Sequence, residues 1–559
     1  MRKLIACIPN FSEGRNPEVI DAISASIESL PDVTLLDVDP GEATNRTVVT
    51  FVGTPEAVLD AAVASIRTAT DLIDMAGHRG EHPRFGATDV CPLVPVSGIS
   101  MEEAAALARS LARRLGEELG LTVYCYEHAA STPERRNLAE VRQGEYEGLA
   151  DRLQDPEWAP DFGPADFNPR SGATAVGARE FLVAFNVNLN TTSTRRANAI
   201  AFDVRERGRV KRLGDPLTGE VVLDEAGEKV WIPGTLEAVK AIGWFIEEYG
   251  VAQISMNLTD IVKTPVHVAF DEVVRAAAER GIRVTGSELV GLIPLDAMLE
   301  AGRHYLRKQQ RSTGVADAEL IKIAIVSMGL NELGPFDPNT KIIEYAIDAG
   351  TDRLAQMPLG RFIEETASES MAPGGGSVSA SVGALGAALG TMVANLSAHK
   401  RGWDDRWEEF SDWADRGKAC HDELTSLIDE DTEAFNGIMA AFAMPAGSAD
   451  EQQARSDAIE AATIAAIEVP LRVMEVSLAS MDVIRAMAEI GVPASVSDAG
   501  VGAACARTAV IGAGLNVRIN AATLTDEAVA AEYTARAGEI QARAMIEEAA
   551  ILELVDGRI

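Results

Sequence analysis

The sequence predicts a multidomain protein with two α/β subdomains in its N-terminal half and an all-α helical bundle in its C-terminal half. Three observations support this. The chain has 559 residues, which is more than one domain usually holds. Strand-like and helix-like patterns alternate through the first half, as expected for sheets covered by helices. Beyond residue 360, the strand patterns nearly vanish and long helical patterns remain.

The N-terminal half divides at a Pro- and Gly-rich stretch, residues 155–172. Before it, the patterns predict strands at 3–8, 33–38, 47–52 and 122–126, and helices at 17–30, 55–73 and 101–119. After it, they predict strands at 180–189 and 252–258, and helices at 194–207, 235–249 and 270–280. The polar, turn-rich residues 209–232 predict an exposed, hairpin-like insertion.

The C-terminal half begins after the Gly-Pro and Asp-Pro turns of residues 333–340. Six helices are predicted beyond it, at 361–369, 377–398, 404–442, 451–490, 499–515 and 525–554. Residues 371–398 carry no charge and are long enough to cross a membrane. They are rich in Ser, Gly and Ala and poor in large apolar residues, which favours a buried helix of a soluble bundle.

Charge and cysteine usage restrict the possible partners. Lys and Arg number 50 against 85 Asp and Glu, so the formal net charge is −35. A surface this acidic repels nucleic acid and anionic membranes, and an anionic substrate would need a local basic cluster. The five cysteines are widely spaced and form no Cys-x-x-Cys pair. This usage favours a reducing, cytoplasmic location and argues against a disulfide framework or a cysteine zinc site.

The first candidate site is the segment 78–89, which holds two of the seven histidines. Its glycines and Pro83 predict a loop, where a histidine can reach substrate and transfer protons near neutral pH. The segment also has His-x-x-Glu-His spacing, a metalloprotease pattern that requires a regular helix, which Gly80 and Pro83 disfavour. An ordered loop whose histidines only bond their neighbours is an equally simple interpretation.

An anion pocket is predicted beside this loop. Arg46, Arg79 and Arg84 together can supply the positive field that the whole chain lacks, although each alone is an ordinary surface arginine. Asp39, at the end of a predicted strand, can favour a cationic substrate group or cap a turn.

The second candidate site combines residues 373–377 with 429–435. Pro-Gly-Gly-Gly-Ser at 373–377 precedes a predicted helix and can present free N–H groups, or can be a flexible cap. Asp431 lies within an apolar stripe at helical spacing, formed by Leu424, Leu427, Ile428, Ala434, Phe435, Ile438 and Phe442. Burial would raise the pKa of this carboxyl group, which suits a proton donor, unless a buried cation pairs with it.

Several strings in the first half resemble the formiminotransferase-cyclodeaminase family. They are Pro-Asn-Phe-Ser-Glu-Gly at 9–14, Thr-Asn-Arg-Thr at 44–47, Gly-Glu-His-Pro-Arg at 80–84, Asp-Val-Cys-Pro at 89–92, Pro-Asp-Phe-Gly-Pro at 160–164, Gly-Ala-Arg-Glu-Phe-Leu at 177–182, Gly-Trp at 243–244 and Val-Gly-Leu-Ile-Pro at 290–294. The resemblance implies two α/β subdomains of the ferredoxin-like α+β sandwich type, with tetrahydrofolate between them. It implies that His82 is the acid/base catalyst.

The resemblance also implies a folate-binding stretch in the Pro- and Gly-rich break. Its residues would be Gly163, Pro164, Ala165, Asp166, Phe167, Asn168, Pro169, Arg170, Ser171 and Gly172. Ala43 stands where the family usually has serine, and the insertion at 209–232 is longer than expected.

The second half resembles the cyclodeaminase part of the family through residues 373–377, Asp431 with Ala-Phe at 434–435, Val-Pro-Leu at 469–471, Ser-Asp at 497–498, and residues 516–520. Asp431 aligns with the family's catalytic acid. This half departs more from the family pattern, at 399–403, 444–446 and 491–495. Relatives with only this domain include methenyl-tetrahydrofolate cyclohydrolases.

The resemblance therefore implies a bifunctional enzyme of histidine degradation. Residues 1–181 and 182–335 would be the formiminotransferase subdomains, 336–353 a linker and 354–559 the cyclodeaminase domain. Tetrahydrofolate, with or without a polyglutamate chain, would be the co-substrate of formiminoglutamate, no metal would be required, and the protein would be a homo-oligomer. The alternatives are glutamate formyltransferase with methenyl-tetrahydrofolate cyclohydrolase on the same fold, and a non-catalytic folate-binding scaffold.

Overall fold

The computed structural model describes residues 3–41, 45–80, 84–214, 218–247, 249–348 and 353–559. Two compact units are present. The first combines Met1–Met298 with Met328–Ala349, and the second combines Leu299–Ser327 with Gly350–Ile559. The predicted α/β first half and helical second half are confirmed. The finer domain boundaries stay predictions, since the compact units group 299–327 with the C-terminal helices.

The strands all lie in the first unit. They are β1 (Leu4–Cys7), β2 (Asn10–Phe11), β3 (Val33–Gly41), β4 (Arg46–Gly53), β5 (Thr88–Ser97), β6 (Thr122–Glu127), β7 (Ala173–Ala178), β8 (Val183–Leu189), β9 (Arg209–Val210), β10 (Arg212–Leu213), β11 (Glu220–Val221), β12 (Trp231–Ile232), β13 (Val239–Ile246), β14 (Val251–Leu258) and β15 (Val284–Val290).

The helices become longer toward the C-terminus. They are α1 (Pro17–Glu28), α2 (Pro55–Leu72), α3 (Met101–Glu118), α4 (Leu138–Val141), α5 (Glu145–Arg152), α6 (Thr194–Val204), α7 (Val266–Ala278), α8 (Leu295–Lys308), α9 (Asp317–Met328), α10 (Pro338–Lys341), α11 (Ile343–Asp348), α12 (Leu359–Thr366), α13 (Gly375–Ala398), α14 (Trp407–Phe442), α15 (Ala449–Ile490), α16 (Val496–Ala521) and α17 (Glu527–Asp556).

Two sheets organise the first unit. The larger has seven strands, in which β3 flanks β4, the interrupted strand β1/β2 pairs with both β4 and β5, and β7 and β6 follow in parallel. The smaller is antiparallel, in the order β13-β14-β8-β15. Each sheet contains the same series, β-α-β-β-α-β, with the same spatial order of its four strands.

Strand alternation gives the first sheet two different faces. Cys7, Phe51 and Cys91 are fully buried in the core cluster beneath helices α1, α2 and α3. Asn10 and Val90 point to the opposite face, which borders the large cavity described below. The sheet thus separates a hydrophobic core from a polar cleft.

One predicted helix was wrong. Residues 235–249 contain strand β13, which pairs with β14 along its whole length. Its buried and exposed positions alternate, with Val239 and Ala241 buried and Lys240 and Ile242 exposed. Burial with a two-residue period is typical of a strand and not of the predicted helix. The predicted hairpin-like insertion is present, since β10 pairs with β11 and β9 with β12.

The second unit is built around the small-residue helix α13, which packs against α14, α15 and α16. Gly386 and Gly502 let α13 and α16 approach closely, because a Cβ at Gly386 would lie 2.8 Å from the Gly502 carbonyl oxygen. Helix α13 and the segment Pro493–Ala521 have the length and hydropathy of a membrane span. In this fold, 56% and 50% of their apolar windows are buried within the protein.

Candidate active sites

A large cavity in the described part of the chain lies in the first unit and has a volume of about 1090 Å³. Strands of both sheets line it. Its wall includes six Lys or Arg side chains and seven Asp or Glu side chains. They are Arg46, Arg142, Arg179, Lys240, Lys263, Lys341, Asp37, Asp39, Glu127, Glu180, Glu206, Glu237 and Asp260. The cavity is therefore nearly balanced in charge, although the whole chain carries −35.

The acidic side of this cavity is formed by strand β3. Asp37 and Asp39 are two residues apart, so both point to the same face of the sheet. Burial raises the pKa of Asp37, and the negative charge of Asp39 raises it further, whereas Lys341 opposes the shift. The role predicted for Asp39, favouring a cationic substrate group, stays a prediction.

The loop after α2 is fixed by His78, which is 7% exposed. Its Nε2 lies 3.0 Å from the Asn45 carbonyl oxygen, and Arg84 Nε donates to its Nδ1 at 3.2 Å. Nε2 therefore carries the proton and Nδ1 accepts. Burial lowers the pKa of His78. With both ring nitrogens occupied, His78 holds the loop together and has no nitrogen available to move a substrate proton.

Glu81, His82 and Pro83 lie outside the described residues, and the catalytic assignment of His82 stays a prediction. Residues 78–80, which precede them, are not helical, although the metalloprotease pattern requires a helix there. In the described ranges, no group of three His, Cys, Asp or Glu side chains is arranged to hold a metal ion.

Of the three arginines predicted for the anion pocket, Arg46 alone lines the cavity. Arg84 is buried against His78 and forms an ion pair with the Glu147 carboxylate. Arg79 donates to the backbone carbonyl of His78. Arg79 and Arg84 therefore do not line this cavity, because His78 and, for Arg84, Glu147 of α5 engage their guanidinium groups. Their part in an anion pocket stays a prediction.

Sequence reasoning missed Arg142, which lies just after α4 and contributes to the cavity wall. Its Nη1 donates to Asp89 Oδ2 at 2.7 Å, and Arg46 Nη1 donates to the same oxygen at 2.8 Å. Asp89 is 1% exposed. Arg142 is 96 positions from Arg46 in the sequence, so no local pattern indicated this three-residue cluster.

The predicted folate stretch, residues 163–172, runs beside Met75 and residues 85–87 but does not line the cavity. Met75 N–H donates to the Arg170 carbonyl at 3.0 Å, and Ala87 N–H donates to the Ser171 carbonyl at 2.8 Å. Most of the stretch is exposed, whereas Ser171 and Gly172 are buried. Its C-terminal end is thus anchored, and its centre is accessible to a ligand. Its folate contacts stay a prediction.

The site in the second unit is formed where α14 meets the N-terminus of α13. Ser377 donates to Asp431 Oδ2 through its hydroxyl at 3.1 Å, and its backbone N–H donates to the same carboxyl group. Asn516 of α16 lies close by, with its amide 3.5 Å from a Cβ placed on Gly375. The structure therefore brings the predicted Gly-rich segment and Asp431 together.

Two opposing effects act on the Asp431 carboxyl group. The donors of Ser377 stabilise its anion, as an N-cap carboxylate would be stabilised. Burial acts in the other direction and is larger, so the pKa of Asp431 is raised from its usual 3.8. Among the described residues, no buried lysine or arginine is paired with Asp431. The alternative, in which Asp431 forms a structural ion pair with a buried cation, therefore has no partner residue there.

The apolar stripe around Asp431 is buried on one side only. Leu424 and Leu427 are buried, whereas Phe435 and Phe442 are 37% and 51% exposed. The expectation of a continuous buried stripe was therefore wrong beyond Asp431.

Three family models match the chain in succession. They are described as "Formiminotransferase domain, N-terminal subdomain" (residues 4–179), "Formiminotransferase domain" (184–348) and "Formiminotransferase-cyclodeaminase" (358–539). The chain is 41% identical over 560 residues to the formimidoyltransferase-cyclodeaminase of Mus musculus, covering 100% of both chains. The chain belongs to the formiminotransferase-cyclodeaminase family.

Two shorter relatives are similar to parts of this chain. A glutamate formimidoyltransferase of Streptococcus pyogenes serotype M1 is 40% identical over 307 residues, which is 55% of this chain and 94% of the relative. A methenyltetrahydrofolate cyclohydrolase of Methylorubrum extorquens is 35% identical over 171 residues, which is 31% of this chain and 82% of the relative.

Proposed function

We propose that this protein is a bifunctional folate enzyme of histidine degradation. It transfers the formimino group from N-formimino-L-glutamate to tetrahydrofolate, giving 5-formimino-tetrahydrofolate and glutamate. It then cyclodeaminates this product to 5,10-methenyl-tetrahydrofolate and ammonia. The observation that carries the proposal is the 41% identity, over the whole of both chains, to a relative that bears both activities in its name.

The transferase step needs proton movement at two nitrogens. N5 of tetrahydrofolate attacks the formimino carbon and must lose a proton, while the departing glutamate nitrogen must gain one. One imidazole can do both in turn. His82 is the proposed carrier, and the fixed role of His78 supports this choice because it removes the other histidine of the loop from consideration.

The ring-closing step needs an acid. N10 attacks the formimino carbon, and the former imino nitrogen leaves as ammonia after protonation. Asp431 is the proposed donor. Its raised pKa favours the protonated form, and the Ser377 hydroxyl holds the carboxyl group at the N-terminus of α13. A carboxyl group protonated by burial is a recognised solution for acid catalysis near neutral pH.

A second candidate function is a formyltransferase coupled to methenyl-tetrahydrofolate cyclohydrolase. The similarity to the relative named methenyltetrahydrofolate cyclohydrolase favours it. This variant would take formylglutamate as donor, and its second half would consume methenyl-tetrahydrofolate and water to give formyl-tetrahydrofolate. A non-catalytic folate-binding scaffold would bind folate and turn over neither donor.

The proposal includes several finer properties. The protein uses tetrahydrofolate, with or without a polyglutamate chain, without a metal, in the cytoplasm and as a homo-oligomer. Exposed apolar side chains on α14 support self-association, among them Phe435, Met439 and Phe442. The repeated β-α-β-β-α-β series, in one strand order, supports a ferredoxin-like sandwich in each α/β subdomain.

One assay tests the main proposal. The purified protein is incubated with formiminoglutamate and tetrahydrofolate, and glutamate, ammonia and methenyl-tetrahydrofolate are measured separately. His82→Ala should abolish glutamate release and still close the ring of supplied 5-formimino-tetrahydrofolate, whereas Asp431→Asn should do the reverse. If either variant retained both steps, the role proposed for that residue would be wrong.

Three controls separate the alternatives. Formylglutamate as donor distinguishes formyl from formimino transfer. Hydrolysis of supplied methenyl-tetrahydrofolate, without ammonia release, would identify a cyclohydrolase. Activity should persist in the presence of a metal chelator, and sedimentation of the purified protein should give a multiple of the 59.3 kDa chain mass.

A further inference from the structure

A buried carboxylate bridges two arginines at the wall of the cavity. Asp89 Oδ2 accepts from Arg46 Nη1 at 2.8 Å and from Arg142 Nη1 at 2.7 Å. Asp89 is 1% exposed, and the two arginine side chains are 15% and 18% exposed. Two cations therefore share one anion in a place with little access to water, and the cluster has a formal charge of +1.

The cluster has hydrogen-bonding capacity beyond the bridge. Asn10 Oδ1 accepts from Arg46 Nε at 3.1 Å and helps to fix the Arg46 side chain. Arg142, by contrast, donates only to Asp89 among the described residues, and its buried Nε has no partner there. A guanidinium group presents five N–H donors in a planar fork, which suits a carboxylate.

A negatively charged residue, Asp39, lies near this cluster on the same wall of the cavity. Asp39 pairs with Val48 across β3 and β4, and Arg46 lies two residues before Val48 on the same face. Strand geometry puts such diagonal neighbours about 7–8 Å apart. A molecule with a basic amidine at one end and carboxylates at the other, as formiminoglutamate has, matches this order of charges.

The arginine cluster is also joined to the loop that precedes His82. Asn45, the residue before Arg46, donates from its side chain to the Arg79 carbonyl at 3.0 Å. Its own carbonyl meets His78 Nε2 at 3.0 Å. The segment that carries Arg46 therefore has a fixed position relative to the described start of that loop.

We propose that Arg46 and Arg142, held in place by Asp89, form a subsite for the carboxylate of a glutamate group. This inference rests on the proposed transferase function. The carboxylate can come from formiminoglutamate or from the glutamate tail of tetrahydrofolate, and the closeness of the acidic pair favours formiminoglutamate. Arg46 and Arg142 are binding residues in this assignment, and Asp89 is a positioning residue.

The test compares Arg142→Gln, Arg142→Lys and wild type in the full-length protein. Arg142→Gln should raise the KM for formiminoglutamate about tenfold to a hundredfold, with a much smaller change in kcat, because a charge-assisted contact is lost. Arg142→Lys should recover part of the affinity. Arg114→Gln is the matched control, since Arg114 forms ion pairs with Asp60 of α2 and Glu118 of α3 and does not line the cavity.

Two further measurements identify the source of the carboxylate. If the donor supplies it, the KM for tetrahydrofolate stays near wild type in Arg142→Gln, and binding of free L-glutamate by calorimetry weakens in parallel. If the folate tail supplies it, the KM for tetrahydrofolate rises instead. With tetrahydropteroate, which lacks the tail, the variant and the wild type should then have the same KM. Either pattern supports the subsite and names its ligand.

Unchanged KM values for both substrates in a folded Arg142→Gln protein would overturn the subsite. The subsite would also be overturned if Arg142→Gln lost kcat equally with either substrate while its glutamate binding was unaltered, since that pattern indicates general disruption. Wild-type protein that transferred nothing would instead contradict the proposed function, so the two failures are distinguishable. Circular dichroism and the melting temperature of each variant establish that it is folded.

Discussion

The carboxyl group of Asp431 occupies the space that a side chain at Gly376 would need. A Cβ added to Gly376 would lie 2.0 Å from Asp431 Oδ1, well inside van der Waals contact. This closeness lets the backbone N–H and hydroxyl of Ser377 reach the carboxyl group. Gly376 is therefore a steric requirement of the carboxyl site, whereas the sequence alone left the glycine run open between ligand binding and a flexible cap.

Gly376→Ala should greatly reduce ring closure while leaving glutamate release intact. The methyl group must displace the Asp431 carboxyl group, so the loss should approach that of Asp431→Asn, about a hundredfold or more. Both steps are measured separately on the purified variant. Gly538→Ala is the matched control, because its Cβ would meet nothing within 4 Å in helix α17. Normal ring closure in Gly376→Ala would contradict the steric argument.

Asp431→Asn should abolish ring closure without destabilising the helical unit at neutral pH. Burial raises the pKa of Asp431 above 3.8. The associated stability is therefore fully present below pH 3.8 and is lost as the pH rises through the folded-state pKa. Asparagine cannot ionise and can still accept from Ser377. The melting temperature at about pH 7 should be equal or higher, and a clear decrease would indicate a structural role instead.

His78→Gln should change how the stability of the α/β unit depends on pH. Burial lowers the pKa of His78 below its usual 6.5. Its contribution is therefore present above pH 6.5 and is lost as the pH falls below that value toward the folded-state pKa. The variant should be less stable than wild type at about pH 7.5, and the difference should shrink at about pH 5.5. Thermal unfolding at both values measures this, and a constant difference would argue against the neutral, doubly bonded imidazole.

Asp89→Asn should destabilise the α/β unit by about 3 kcal/mol or more, because it leaves two poorly hydrated guanidinium groups without their shared anion. Denaturant unfolding, followed by a signal from this unit, gives the change. Asp60→Asn is the control, since its carboxylate pairs with Arg114 at an exposed position and should contribute less than about 1 kcal/mol. Equal effects of the two substitutions would show that burial of Asp89 is unimportant.

The sequence predicted the parts of the fold that local patterns determine. Helices α1, α2 and α3 and strands β3 and β4 follow the predicted periodicities closely. Strand β13 was mistaken for a helix because its pairing with β14, absent from any local signal, decides its conformation. The loop 78–89 was singled out by its residues and the stretch 163–172 by the family resemblance, and tertiary hydrogen bonds join the ends of the two, from Ala87 to Ser171.

The arrangement of the charged side chains was harder to predict. Arg84 and Arg142 look alike as isolated residues, yet one pairs with Glu147 of α5 and the other faces the cavity. Their different roles depend on contacts between segments far apart in the chain. By contrast, Asp431 could be singled out because a carboxyl group on an apolar helical stripe is unusual in itself.

The close approach of Gly386 to Gly502 has a consequence for a site some distance away. Gly386 lies ten residues along α13 from Gly376, or about 15 Å at the helical rise. Any side chain added at this crossing would push the rod-like α13 outward and shift its first turn relative to Asp431. Substitutions at this crossing would therefore change the rate of ring closure from a distance. They would do so by shifting α13, although α13 does not contact the reacting atoms at the crossing.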